Sequence, residues 1–183
     1  MDSSKACPGV GRGTWEHPKA SIQKRAEFTE KVNQLKAEGR PLVYVDESGF
    51  AVDMPRRYGY APKGSRCLGT WNWHEKGRIN AIGALLAGAL LTVGLFTSTI
   101  DAPTFTAWLE QDLIPKLPPG AVVIMDNAKF HTLEKTEKIL KDNGYDLLPT
   151  PSYSPDLNDI EHTWNEKKAL RRKTQCSIES LFA

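Results

Sequence analysis

The chain has 183 residues, 24 Lys plus Arg against 22 Asp plus Glu, with 40% hydrophobic and 25% charged residues. That is the profile of one globular domain able to bury about 70% of its unfolded surface, so disordered and fibrous classes are excluded. The three cysteines (Cys7, Cys67, Cys176) show neither CxxC nor zinc-ligand spacing, which excludes a disulfide framework or a zinc finger, and the net charge of +2 averages over two basic runs.

Residues 1–19 hold Gly9, Gly11 and Gly13 around Pro8 with no hydrophobic strand before them, so they read as a flexible lead-in rather than a nucleotide loop. No secretory signal opens the chain, and a reducing, cytoplasmic setting is expected. Over residues 20–38, Phe28, Val32 and Leu35 recur at helical spacing and Gly39 follows as a C-terminal stop. The apolar run Leu42–Val45 then predicts a buried strand that delivers Asp46 at its tip. Residues 49–78 form an irregular basic insertion, in which Arg56, Arg57, Lys63 and Arg66 interleave with Tyr58, Tyr60, Trp71 and Trp73, as nucleic-acid surfaces do.

Residues 79–100 carry no charge, yet only 14 of these 22 are apolar. A membrane span needs about 20, so two adjacent strands turning near Gly88 are the better reading. A helix follows from Asp101, with Phe105, Trp108, Leu109 and Leu113 on one face, ending before Pro118. Ala121–Met125 predicts a second buried strand, also ending in a carboxylate, Asp126. A helix over 131–142, a strand over 145–148, a Pro/Ser loop over 150–155 and a helix over 158–173 complete the order. A single α/β domain results.

Two strands ending in aspartate and a helix with an acidic first turn (Asp156, Asp159, Glu161) allow Asp46, Asp126 and Glu161 to meet above one sheet edge. Carboxylates brought that close repel unless a cation lies between them, and oxygen ligands suit Mg²⁺. Each also has a plainer role: Asp46 or Asp126 capping a turn, and Asn158 with Glu161 forming a capping box.

The ordered set LVYVDESGF, VVIMDNAKFHT and LLPTPSYSPDLNDIEHTW resembles the catalytic domain of DDE transposases, in the bacterial insertion-sequence branch related to mariner elements. The 34 residues between Asp126 and Glu161 fit that branch. The resemblance implies an RNase H-like fold over 20–176, a mixed sheet flanked by helices. Asp46 would lie on the first strand, Asp126 just after the fourth and Glu161 on a C-terminal helix, together holding two Mg²⁺ or Mn²⁺ ions. It implies cleavage of DNA at transposon ends and strand transfer into target DNA, by a homodimer or larger assembly in the bacterial cytoplasm, at the nucleoid. An RNase H-like nuclease that does not join strands, or a truncated non-catalytic DNA-binding relic, would share these residues.

Asn127, His131 and Asn158 belong to the same motifs as supporting residues, and Lys168, Arg171 and Arg172 extend a basic DNA-facing surface from Glu161. Two departures stand out. Asp159 replaces the proline that relatives often carry before Ile-Glu, which predicts a looser helix start and a carboxylate competing for metal. No helix-turn-helix domain fits in the roughly 40 residues before Asp46, so a separate DNA-recognition polypeptide is expected, and residues 177–183 read as a truncated helix.

Overall fold

Two apolar strands lie side by side at the centre, and the rest of the chain is arranged by which of their faces it covers. The computed structural model describes residues 20–52, 63–66, 77–126 and 133–182. The elements are α1 (Ile22–Ala37), β1 (Leu42–Ala51), β2 (Arg78–Leu86), β3 (Ala89–Phe96), α2 (Ala102–Trp108), β4 (Val122–Asp126), α3 (Leu133–Asp142), β5 (Asp146–Thr150), α4 (Ile160–Thr174) and α5 (Ile178–Phe182). One mixed sheet has the order β3-β2-β1-β4-β5. β1 is antiparallel to β2 and parallel to β4, which is parallel to β5.

Successive strand residues point to opposite faces. Leu42, Tyr44 and Phe50 of β1 and Val122 and Ile124 of β4 pack with α1, α4 and α5. Val43, Val45, Val123 and Met125 pack on the other face with α2, the turns after it and Leu140 of α3. The alternation therefore assigns Asp46 and Asp126 to the face covered by α4.

β1 is longer than the apolar run that announced it. Its parallel ladder with β4 stops at Val45 opposite Met125, while its antiparallel ladder with β2 continues to Ala51 opposite Arg78. Asp46 thus lies inside a strand, at the level where the β4 neighbour ends. The uncharged stretch 79–100 gives the β2–β3 hairpin, turning at Ala87 and Gly88, both with positive φ. Among the described residues no helix is long and apolar enough to cross a membrane.

Local chemistry sets the helix ends. Ser21 accepts from the Lys24 amide to open α1, and Gly39 closes it at φ 72°. Asp101 accepts from the Thr104 amide, 3.0 Å, to open α2. The single helix expected after it is broken into α2, a π-helical turn (Leu109–Leu113) and a 3₁₀ turn (Ile114–Lys116). Pro115 has no amide hydrogen to offer one turn back, which breaks the regular ladder.

The last segment is part of the core. Ile178 and Leu181 are buried, and the Phe182 ring meets Phe50 and Trp164 edge-on at 5.4 and 6.1 Å. The lead-in 1–19 and most of the basic insertion, including Arg56, Arg57 and its four aromatic residues, lie outside the described residues.

Candidate active site

The register of β1 against β4 places Val45 beside Met125, and the next residue on each strand is an aspartate. α4 crosses the same face, with Ile160 and Trp164 fully buried against the sheet. Glu161 follows Ile160 in the first turn of α4, so docking that apolar stripe carries the third carboxylate to the strand ends. Asp46, Asp126 and Glu161 line one cavity of about 340 Å³, closed by Thr150–Pro155 and Asn158.

The wall opposite the strands is fastened to the residues just before the two aspartates. Asn158 Nδ2 donates to the Val45 carbonyl, 3.2 Å, and the Thr150 hydroxyl donates to the Met125 carbonyl, 3.4 Å. Arg25 of α1 forms a bidentate pair with Asp156, 2.9 and 2.6 Å, and its hydrogen bonds hold that carboxyl below its ordinary pKa. Thr150 had no distinguishing signal in the sequence; its role comes from pairing with Asp126 in the β4–β5 ladder.

The capping box expected of Asn158 and Glu161 is absent. The N-cap of α4 is Asp159, without a side-chain cap bond, and Asn158 turns its amide to β1 instead. Its Oδ1 is buried with no hydrogen-bond partner. Asp159 does not line the carboxylate cavity either. It faces Tyr44 on another side of α4, and burial first, then the Asp159 charge, pushes the Tyr44 hydroxyl up to about 12. Asp159 thus lies apart from the three carboxylates, at a second cavity that it lines together with Tyr44.

The basic residues divide. Lys168, two turns after Glu161, holds Nζ 5.5 Å from the Phe50 ring centre. Burial lowers its pKa, opposed by the charges of Glu161 and Asp46, so its ammonium lies within electrostatic reach of the site. Arg171 is a correction. It is 6% exposed, and its guanidinium donates to the carbonyls of Ala51, Val52 and Cys176, so it fastens α4 to the end of β1 rather than facing DNA. Arg172 is half-buried, and Lys63 and Arg66 are exposed. Asn127 and His131 lie outside the described residues.

Three carboxylates beside hydroxyl and amide oxygens, with no sulfur or imidazole in the cavity lining, fit a hard divalent cation in donor chemistry. Among the described residues, no group of three His, Cys, Asp or Glu is gathered closely enough to hold one as the side chains stand.

A mixed sheet carrying aspartates at two neighbouring strands, with a glutamate from the helix across them, defines the RNase H-like class. The sequence matches the family described as "DDE superfamily endonuclease" over residues 41–181, and the chain belongs to that family. The human histone-lysine N-methyltransferase SETMAR is 34% identical over 68 residues, which cover 34% of this chain and 10% of that protein. The fold is that of the Mos1 transposase paired-end complex with left transposon end (TM-score 0.69, 18% identity, 92% of this chain and 54% of that one). The mariner Mos1 paired-end complex with Mg also matches (TM-score 0.61, 19% identity, 87% and 54%). The chain therefore spans about half of the Mos1 chain in each.

Proposed function

We propose that this chain is the catalytic part of a transposase, which cuts DNA phosphodiester bonds at transposon ends and joins the freed 3′ end to target DNA. The observation that carries the reading is the meeting of Asp46, Asp126 and Glu161 at one cavity, from three elements far apart in sequence. Membership of an endonuclease family and a fold shared with transposon-end complexes support it.

In this reading the three carboxylates hold two Mg²⁺ or Mn²⁺ ions. Such ions, when bound, activate an attacking oxygen and neutralise the charge of the leaving one. The protein's own residues supply placement. Asn158 and Thr150 fix the cavity wall to the strand ends, so Asp46 and Asp126 keep their spacing as the site charges. Lys168 offers a cation toward a phosphate beside Glu161, and Arg172, Lys63 and Arg66 extend the contact with DNA backbone. DNA ends and target are the partners, a dimer or larger complex the working form, and a separate recognition polypeptide the source of end specificity, in the bacterial cytoplasm.

Incubation of the chain with transposon-end DNA and a supercoiled target in Mg²⁺ or Mn²⁺ tests this. Nicked ends and covalent end–target joints are expected, and EDTA should abolish both. Nicks without joints would identify the nuclease reading, and binding without either product the non-catalytic one.

A further inference from the structure

Beyond Asp46 the β1–β2 ladder continues without β4 beside it, from Glu47 opposite Ile82 to Ala51 opposite Arg78. The tip of this ribbon is held in place: the Val52 amide donates to the Gly77 carbonyl, 3.0 Å, and Arg171 of α4 donates to the carbonyls of Ala51 and Val52. Arg78 is exposed and, among the described residues, forms no ion pair or side-chain hydrogen bond. Its guanidinium nevertheless has a defined seat. It lies against the backbone of Gly49, on the face of the ribbon turned away from Phe50, where a Cβ on residue 49 would overlap its Nε, Cζ and Nη2. Glycine inside a strand weakens it, and often marks the close approach of another group. Here that group is the arginine.

The seat lies near the carboxylates. The Lys168 ammonium, whose pKa is lowered first by burial, also feels Glu161, Arg78, Asp46 and Arg172. Three cations and two of the cavity's carboxylates therefore act on one another, and a cluster of cations with an unpaired arginine suits a polyanion. We propose that Arg78 is a DNA-phosphate contact, seated by Gly49 on the face of the β1–β2 ribbon away from α4, that holds the duplex beside the carboxylate cavity. The guanidinium fork matches phosphate geometry, and such a contact fixes the position of the duplex without reading its sequence. A fork already resting on backbone loses little freedom on binding. The inference rests on the proposed DNA-cleaving function and adds to it a positioned cation outside α4.

The full chain, in EDTA so that no cleavage occurs, is titrated into a labelled blunt duplex at several KCl concentrations. Arg78→Gln is expected to lower the slope of log affinity against log salt by about 0.9, the value of one phosphate contact on duplex DNA, at the wild-type melting temperature. Gly49→Ala keeps the charge but pushes aside the far end of a flexible side chain, so it should lower the slope by the same amount and melt no lower than wild type. The double variant should lose no more than either single one, because both changes remove one contact. Arg78→Gln with the wild-type slope overturns the inference while leaving the proposed function standing. So does Gly49→Ala with the wild-type slope, or a double variant in which the two losses add, since either separates the glycine from the contact. A melting temperature that falls with affinity in Arg78→Gln overturns it in favour of a structural role. A wild type that binds no duplex DNA overturns both readings.

Discussion

Gly83 shows how closely the site depends on single atoms. It lies opposite Asp46 in the β1–β2 ladder, and a Cβ there would stand 2.6 Å from Cη2 of Trp164 and 3.4 Å from Cδ1 of Ile160. Gly83→Ala must move α4 and with it Glu161. A loss of about 1–3 kcal/mol in stability is expected, the usual range for overpacking, together with reduced cleavage; denaturant melts and a nicking assay check both. Arg171 carries a contrasting prediction. Arg171→Gln removes the donors to three part-buried carbonyls, so it should cost roughly 1–3 kcal/mol by the same melts. The salt dependence of DNA binding should stay as in wild type, whereas Lys168→Gln should lower the slope of log affinity against log salt by about 1. That Asp46 and Asp126 come to one cavity was legible because buried strand runs ending in aspartate leave few places for the carboxylates to go. The division among basic residues was not. Five cations in seven positions look alike in sequence, and only the fold determines that Arg171 is buried against β1 while the other four are not buried.

The elements were legible in order and type, with their ends set by tertiary contacts. Leu42–Val45 announced β1, but pairing with β2 carries it to Ala51, and no local feature of Glu47–Ala51 signalled that. The replacement of proline by Asp159 removes a fixed φ from the helix start, and Asp159 caps α4 without a side-chain bond, beside Tyr44 at a second cavity. The link from α1 to the cavity wall has a pH signature. Arg25 keeps Asp156 ionised below its ordinary range, so the pair's contribution is present at neutral pH and lost as pH falls below about 3.9, through the lowered folded-state pKa. The pair is partly exposed, so Arg25→Gln should lower stability at pH 7 by about 0.2–1 kcal/mol. The two proteins should converge in melts at strongly acid pH.

For the molecule as a whole, the mixed sheet serves to bring together residues separated by 115 positions in sequence, from Asp46 to Glu161. Apolar packing does this, with Ile160 and Trp164 buried at 0% exposure on one side of the strands and the α2 and α3 residues on the other. α5 completes that core through Phe182, so removal of Ile178–Phe182 should unfold the α4 face before the α2 face, as hydrogen exchange would report. Charged chemistry is thus held by an uncharged frame, which explains why the frame was readable from periodicity and the site only from three dispersed acids.

We propose that Asp46, Asp126 and Glu161 act as one divalent-ion site. Its most direct measurement is calorimetric titration of Mn²⁺ into wild type and into Asp46→Ala, Asp126→Ala and Glu161→Ala, with plasmid nicking followed on the same samples. Each substitution is expected to weaken Mn²⁺ binding at least tenfold and abolish nicking while the melting temperature shows a folded protein. Folded variants that bind Mn²⁺ and nick DNA as the wild type does would contradict it.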